Sequence, residues 1–137
     1  MVAVRAIRHE VFVVEQNVPP ELEWDGKDGR AVHLLAPGAG TGRLLLGADA
    51  AAKNGGDPEL AVLGRLAVVT PARGRGVGAR LVRALEDEAA RLGLAGVYLE
   101  AQVHALGFYR KLGYTPFGPE FQDAGIAHRA MRRTWRQ

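Results

Sequence analysis

The sequence predicts a single domain of the mixed α/β or α+β class. Several stretches carry apolar residues at helical spacing, and short apolar runs between glycine- or proline-containing turns are typical of strands. A strand, a helix and a second strand follow one another in the middle of the chain, with hairpin-like runs before and after them. The length of 137 residues is that of one domain with a sizeable core.

The first half of the chain is predicted to hold one helix and three strands. Val4, Ile7 and Val11 follow helical spacing and indicate an amphipathic helix over residues 3 to about 13. An acidic loop follows this helix. The strand-like runs then cover 31–36, 43–50 and 59–69, separated by turns at 37–40 and 53–58. Gly64, within the third run, is a candidate position for a β-bulge.

The second half alternates helices with strands. Apolar residues spaced by three, four and one predict a helix from Val77 to Leu92, and Gly93 is a natural stop for it. A shorter helix is predicted over 103–112 and ends at Gly113. The strands of this half are predicted over 96–101, 114–117 and 127–134.

The composition is that of an ordinary globular protein and excludes several classes. There is no apolar run of about 18 residues to cross a membrane and no apolar region of a signal peptide. The absence of cysteine excludes disulfides, thiolate-rich zinc sites and a cysteine nucleophile. A net charge of +3 is too small to indicate nucleic acid, and the scattered histidines predict no metal site. We therefore expect a cytoplasmic protein without nucleic-acid or membrane partners.

Between the third predicted strand and the long helix lies a loop rich in glycine and arginine. Gly74, Gly76 and Gly78 occupy three of five positions, although an ordered glycine loses about 0.5–1 kcal/mol of stability relative to alanine. Their presence favours a site where phosphates approach bare backbone N–H groups at a helix start. Arg73, Arg75 and Arg80 could add positive charge there. The alternative is a tight strand-to-helix connection with no ligand.

Neither of two common nucleotide-binding motifs accounts well for this loop. The chain lacks the G-x-x-x-x-G-K-[ST] sequence of P-loop nucleotidases. Residues 74–79 match the dinucleotide pattern G-x-G-x-x-[GA], with Glu100 near the expected distance after them. In that fold, however, the first glycine closely follows a strand, whereas residues 70–73 intervene here. A dinucleotide-binding protein is therefore the less favoured alternative.

Two motifs together resemble the GNAT superfamily of acyl-CoA-dependent N-acyltransferases. Residues 73–78, Arg-Gly-Arg-Gly-Val-Gly, match that family's [Q/R]-x-x-G-x-[G/A] between a strand and a helix. Residues 102–114 are similar to the family's N-x-x-A-x-x-[FL]-Y-x-[KR]-x-G-[FY], with Gln102 in place of the asparagine. Segments 11–16 and 125–131 resemble the ElaA-like branch of the superfamily.

The resemblance implies the GNAT fold, a central mixed, mostly antiparallel sheet flanked by helices, in one domain over residues 1–137. Family members usually begin with a strand before the first helix, and this sequence begins inside that helix. Either the start codon is assigned late, or the protein lacks the strand. Without it, the strand over 31–36 would have an unpaired edge that invites dimerisation, so a homodimer is a further expectation.

The resemblance also implies a reaction and the residues that carry it. A primary amine of a small molecule or peptide attacks the thioester of acetyl-CoA directly, which agrees with the absence of cysteine. The pyrophosphate is expected on the loop and the thioester beside the end of the preceding strand. The residues implied in binding acetyl-CoA are Leu66, Ala67, Val68, Arg73, Gly74, Arg75, Gly76, Val77, Gly78, Ala79 and Gln102.

Tyr109 matches the family's general acid, which gives a proton to the departing CoA thiolate. A phenol has a pKa near 10 and a thiol one near 8.5, so this transfer is uphill by about 2 kcal/mol unless the site changes either group. The alternative is that Tyr109 is a core aromatic residue.

The corresponding alternative for the whole protein is a non-catalytic acyl-CoA-binding module. Such a module would bind CoA without releasing a thiol.

The general base and the acceptor site are less defined. The candidate bases are Glu15, Glu23, His33, Glu100 and His128. The acidic loop contains Glu21, Glu23, Asp25 and Asp28. Its charge could attract a cationic amine, or it could be a solvated loop that keeps the protein soluble. Trp24 in this loop could hold an ammonium group on its ring face.

Overall fold

A sheet of six strands forms the centre of the computed structural model, which describes residues 1–135. The strands are β1 (Val32–Ala36), β2 (Gly40–Leu45), β3 (Leu60–Val68), β4 (Gly96–Gln102), β5 (Thr115–Asp123) and β6 (Ile126–Thr134). Their spatial order is β1-β2-β3-β4-β6-β5, and within these residues only β3 and β4 pair in parallel. The mixed, mostly antiparallel sheet implied by the resemblance is confirmed.

Helices cover both faces of the sheet. They are α1 (Val2–Arg8), which continues as a π-helical segment over His9–Glu15, α2 (Pro20–Glu23), α3 (Gly47–Asn54), α4 (Val77–Arg91) and α5 (Leu106–Lys111). On one side, called the α4 face, Leu85 and Tyr109 pack in the main core with Leu63 and Leu99 of the sheet. On the other, called the α3 face, Ala50 packs in a smaller cluster with strand residues such as Val62 and Tyr98.

Two predicted strands differ from the observed ones, and the predicted acidic loop begins with the short helix α2. The strand predicted over 43–50 ends at Leu45, and α3 follows it. This stretch is rich in alanine, which has the highest helix propensity, and Gly55 ends the helix with a left-handed φ of 81°. The strand predicted over 114–117 extends to Asp123, so β5 and β6 form a long hairpin.

β3 and β4 part halfway along their length. Their parallel pairing ends at Leu63 and Leu99, although β3 continues to Val68 and β4 to Gln102. At this point β3 also bulges against β2, and Arg65 adopts a left-handed φ of 48°. The bulge predicted at Gly64 is therefore present, and it lies at a gap between the two strands.

β1 and β5 are the edge strands of the sheet within residues 1–135, and no strand precedes α1 there. Because β1 pairs on one side with β2, its other side presents unpaired backbone groups. None of the described helices is both long and apolar enough to span a membrane.

Candidate active site

A cavity of about 530 Å³ lies where β3 and β4 part. Its walls include residues from both faces of the sheet. Leu63 and Tyr109 belong to the α4 face, whereas Leu45 and Val62 belong to the α3 face. The cavity therefore passes through the sheet, and two ligands could reach one point in it from opposite sides.

The glycine-arginine loop lies beside this cavity, at the start of α4. Gly74 and Gly76 have φ values of 79° and 77°, which side chains with a Cβ rarely adopt. Gly76 is the N-cap of α4 and supplies no side-chain cap, so the first backbone N–H groups of the helix lack intrahelical partners. A Cβ on Gly78 would come within 3.3 Å of Phe108, a residue of the cavity wall. The loop therefore has the free backbone donors that an anion site requires.

The arginines of the loop have different partners. Arg73 donates to the Glu15 carboxylate at 2.7 and 2.6 Å and, through Nε, to the carbonyl of Val68 at 3.0 Å. Arg80 donates to the carbonyl of Arg75 at 3.0 Å. The predicted phosphate ligand Arg73 is thus already held in an ion pair that joins the π-helical segment to the end of β3.

Of the site residues predicted within 66–68 and 77–79, two line the cavity and four lie outside its wall. Leu66 and Val68 line it, whereas Ala67 is buried against Ile7 and Val11 of the α3 face. Val77 is buried, and Gly78 and Ala79 lie in the first turn of α4, outside the cavity wall. The bulge explains the position of Ala67, because one extra residue exchanges the faces to which successive side chains point.

Gln102 lies on the cavity wall at the end of β4 and is fixed by two neighbours. Its Nε2 donates to Oε1 of Gln16 at 2.9 Å. Its Oε1 is 2.6 Å from Nε2 of His104, which must be the donor because the amide oxygen can only accept. Gln16 and His104 line the same cavity. Gln102 therefore ties the π-helical segment to the β4–α5 connection.

Tyr109 is both a core aromatic residue and part of the cavity wall. Its ring packs edge-to-face against Phe108 and Tyr114, with centroids 4.9 and 5.9 Å away. Within residues 1–135 its hydroxyl donates no hydrogen bond to another side chain or to the backbone, unlike the hydroxyls of Tyr98 and Tyr114. Burial raises the pKa of Tyr109 above its ordinary value, so the phenol carries its proton at neutral pH.

The acidic loop belongs to a buried ion-pair network on the α3 face. Arg8 contacts Glu23 and, at 2.7 Å, Asp28, and both Arg8 and Glu23 are almost fully buried. Arg43, which is also buried, donates to Asp25 at 2.9 and 2.8 Å. The predicted attraction of an amine and the predicted solvated loop are therefore both wrong for Glu23, Asp25 and Asp28. Their charge is balanced by arginines from distant parts of the chain. Glu21, by contrast, is exposed, as in a solvated loop.

The network shifts the pKa values of its members in opposite directions. Burial raises the pKa of Asp25, but hydrogen bonds and charge attraction from Arg43 outweigh it, so this pKa lies well below its usual range. Arg8 and Arg43 lower the pKa of Asp28 in the same way against the effect of burial. Burial first, and the charge of Arg43 second, lower the pKa of the Arg65 guanidinium. For Arg8, by contrast, burial lowers the pKa, but the hydrogen bonds and charges of Asp28 and Glu23 outweigh this effect and raise the pKa.

Trp24 holds a cation from the chain itself. The guanidinium of Arg5 lies 4.3 Å from the centroid of its ring. Trp24 is largely exposed and does not line the cavity. The aromatic face predicted as an ammonium site therefore already has an internal occupant outside the candidate active site.

Most of the predicted bases on the cavity wall already have charged partners. Glu15 is paired with Arg73 and Glu23 with Arg8. Glu100 accepts a hydrogen bond from the Tyr98 hydroxyl at 2.8 Å and lies 3.7 Å from Nζ of Lys53. His33 is not on the wall, and its Nε2 is 3.0 Å from the carbonyl of Asp28 in the buried network.

His128 differs from these candidates. It lines the cavity and pairs with Gln102 across the β4–β6 ladder, on the α3 face. Its Nδ1 is 2.7 Å from the carbonyl of Ile126, which can only accept, so Nδ1 carries the hydrogen. When the ring is neutral, Nε2 is therefore the free acceptor. Phe121 stacks against the ring at 5.9 Å and helps to fix its orientation.

The sequence interpretation did not identify several residues of the site. Lys53 was not predicted because the helix α3 was not recognised. Arg43 was not predicted because only the pairing of β2 with β3 brings it to the cavity. Arg65, which also lines the cavity, was not predicted as a site residue. No cluster of three or more potential metal ligands occurs in residues 1–135.

Comparisons with known proteins show the family to which the chain belongs. A family model described as an acetyltransferase (GNAT) domain matches residues 33–135. The uncharacterised N-acetyltransferase YjcF of Bacillus subtilis is 38% identical over 134 residues, which cover 93% of this chain and 87% of YjcF. Protein ElaA of Escherichia coli is 35% identical over 133 residues, which cover 96% of this chain and 85% of ElaA.

A solved structure of the same kind superposes on nearly the whole chain. An acyl-CoA N-acyltransferase from Pseudomonas aeruginosa matches with a TM-score of 0.79 and 33% identity, over 97% of this chain and 89% of that one. The family model and relatives above 30% identity both cover most of the sequence, and together they show the family of this chain. The chain belongs to the GNAT acetyltransferase family and is an acyl-CoA-dependent N-acyltransferase.

Proposed function

We propose that the protein transfers an acetyl group from acetyl-CoA to a primary amine of a small molecule or peptide. The observation that carries this proposal is the cavity through the sheet, with the glycine-arginine loop beside it on one face and polar side chains on the other. A chain without cysteine cannot form an acyl-cysteine. Direct attack of the amine on the thioester, with both held in one cavity, is the route that this arrangement favours.

Acetyl-CoA is proposed to bind from the α4 face. Its pyrophosphate would accept hydrogen bonds from the backbone of residues 74–79, where the helix dipole also favours an anion. The pantetheine arm would run past Leu66 and Val68 towards Gln102, all of which line the cavity. Backbone N–H groups near the bulge would then polarise the thioester carbonyl.

Tyr109 is proposed as the general acid. It lines the cavity from the α4 face, its hydroxyl keeps a free proton, and burial raises its pKa. A raised pKa keeps the phenol protonated but makes it a weaker acid towards a thiolate. The same burial also disfavours the charged thiolate that forms beside Tyr109 and so raises the pKa of the CoA thiol. Because the two effects offset each other, we expect an effect within the usual 10²–10⁴-fold range of general acid catalysis.

His128 is proposed as the general base. An alkyl amine with an ordinary pKa near 10.4 is neutral in only about one molecule in 2,500 at pH 7, so its proton must be removed. His128 lies on the α3 face, opposite Tyr109, and its Nε2 is the free acceptor of the neutral ring. The acid and the base would thus act on the thiolate and the amine from opposite sides of the sheet.

The experiment that tests this proposal is thiol release from acetyl-CoA with a panel of primary amines. Release that depends on both protein and amine supports the transferase. Stable binding of CoA with no thiol released from any amine would favour a non-catalytic acyl-CoA-binding module. A homodimer and the cytoplasmic location predicted from the sequence also belong to the proposal, and sedimentation and cell fractionation would test them.

A further inference from the structure

Arg65 lines the cavity from an unusual backbone position. It lies on the bulge of β3, at the point where the strand parts from β4, and its backbone has a φ of 48°. A left-handed conformation is strained for any residue other than glycine, and such strain gathers at functional sites. Its guanidinium lies on the α3 face, because it contacts the acidic loop next to α2. This is also the face of His128, the proposed base for the amine, so the acceptor would bind on this side.

The charge of Arg65 is only loosely balanced. Its Nη2 donates to the backbone carbonyl of Glu23 at 3.0 Å, and the nearest carboxylate oxygen, on Asp25, is 3.5 Å away. That same Asp25 oxygen is 2.8 Å from Arg43, which holds it more closely. The Glu23 carboxylate is 3.9 Å from Nε of Arg65 and belongs to the ion pair with Arg8.

Donor groups of Arg65 also remain unused. Its Nε is buried without a hydrogen-bond partner, and Nη1 donates to no atom of residues 1–135. The side chain is 22% exposed, against 2% for each of the two other arginines in the network. Burial and the neighbouring Arg43 lower the pKa of the Arg65 guanidinium, which is the expected sign for a cation short of negative partners.

The other cations of the cavity wall already have closer partners. Arg73 forms a two-armed ion pair with Glu15, and Arg43 forms one with Asp25. Lys53 lies 3.7 Å from Glu100. Within the part of the chain that the structure describes, Arg65 is therefore the wall cation best able to accept another anion.

We propose that Arg65 binds a carboxylate of the acceptor, so that the amine substrates of this protein are amino acids or other amines with a carboxylate. This inference rests on the proposed function and names its substrate class. A guanidinium presents N–H groups in a planar fork that matches a carboxylate. Asp123 and His128, which line the same cavity, would face the amino group of such a zwitterion.

The test compares amino acids with their own carboxamides, which keep the amine and lose the carboxylate. Thiol release from acetyl-CoA is measured for a panel of L-amino acids and ω-amino acids and for each matching amide. We expect the acid of the preferred pair to have a kcat/KM about ten- to a hundredfold higher than its amide. In Arg65→Gln the kcat/KM of the acid should be within about threefold of that of its amide. The KM for acetyl-CoA should change less than this ratio does.

Two further variants keep the test decisive. Arg65→Lys retains the positive charge without the planar guanidinium and should show an intermediate acid-to-amide ratio of kcat/KM. This variant also tests the proposal if Arg65→Gln does not fold. Arg91→Gln, on an exposed arginine at the end of α4, should leave the ratio unchanged. Equal kcat/KM for acids and amides in the unmodified protein, or a preference that survives in Arg65→Gln, would overturn the proposal.

A binding measurement separates this inference from the proposed function. Calorimetric titration of the CoA-saturated protein with the same acids and amides needs no turnover. If no thiol is released from any pair, the transferase proposal fails. Tighter binding of acids than amides, lost in Arg65→Gln, would still support the carboxylate site, and equal binding would refute it.

Discussion

Tyr109 and His128 line one cavity from opposite faces of the sheet. Each has a polar atom to which no group of residues 1–135 is hydrogen-bonded, the hydroxyl of Tyr109 and the Nε2 of His128. Glu15 and Glu23, by contrast, have their charge taken up by arginines. At the scale of single residues, free donors and acceptors therefore distinguish the groups proposed for catalysis from those that hold the structure together.

Replacing Tyr109 by Phe should lower kcat by about 10²-fold or more, because the departing thiolate loses its proton donor. The KM for acetyl-CoA should stay within about threefold, since the ring still packs against Phe108 and Tyr114. Steady-state kinetics with varied acetyl-CoA measure both constants. Tyr114→Phe is the matched control, because that hydroxyl bonds Glu86 and is not on the cavity wall. Unchanged turnover in Tyr109→Phe would remove the residue from the mechanism.

Replacing His128 by Gln should lower kcat/KM for the amine at neutral pH and less so at high pH. The reason is that an amine above its own pKa has already lost the proton that His128 would accept. The measurement is a pH profile of kcat/KM for the two proteins. His9→Gln, an exposed histidine away from the cavity, serves as the control. A loss of activity that is the same at every pH would contradict the role of base.

Sequence reasoning was strongest for elements with local signals. The periodicity of α4 and the glycine-rich loop before it are visible within about 20 residues, and both are observed. The helix α3 was predicted as part of a strand, because its alanines follow an apolar run without a clear stop. The bulge could be suspected from Gly64, but the left-handed residue is Arg65, since pairing with β2 decides which position bends.

Gly76→Ala should weaken the binding of CoA about tenfold, because a Cβ at the N-cap disturbs the backbone that is proposed to hold the pyrophosphate. Gly55→Ala is the matched control. Its glycine has a φ of 81°, close to the 77° of Gly76, and it ends α3 instead of starting α4. Both variants should lose about 1 kcal/mol of unfolding free energy from the strained backbone. Calorimetric titration with CoA measures the difference, and equal affinities would place the pyrophosphate elsewhere.

At the scale of the whole molecule, the buried network joins α1, the acidic loop, β2 and β3. Its partners are far apart in the sequence, as Arg8 and Arg65 show, and for this reason no local pattern could reveal it. The sequence suggested an acidic surface, whereas the fold places the carboxylates against three arginines on the α3 face. The same fold also fixes where the cavity passes through the sheet.

The stability of the protein should fall on acidification below about pH 4. The pKa values of Asp25 and Asp28 are lower in the fold than in the unfolded chain. Their contribution is therefore present above the ordinary Asp pKa of about 3.9 and is lost as the pH falls through the lowered values. Urea unfolding from pH 7 to pH 2 measures this loss. Asp25→Asn should be less stable at pH 7 and show a shallower loss, whereas an unchanged slope would contradict the linkage.

Binding of acyl-CoA at the loop and cavity is the claim from which the rest follows. The most direct measurement is the thermal stability of the protein with acetyl-CoA, CoA, NAD or ATP in parallel. At about 100 times its Kd, a ligand stabilises the fold by about 2.7 kcal/mol, which is several degrees for a domain of this size. We expect this rise with acetyl-CoA and CoA and none with NAD. A rise with NAD alone, or no rise with any of the four, would contradict the assignment of the loop to the pyrophosphate of CoA.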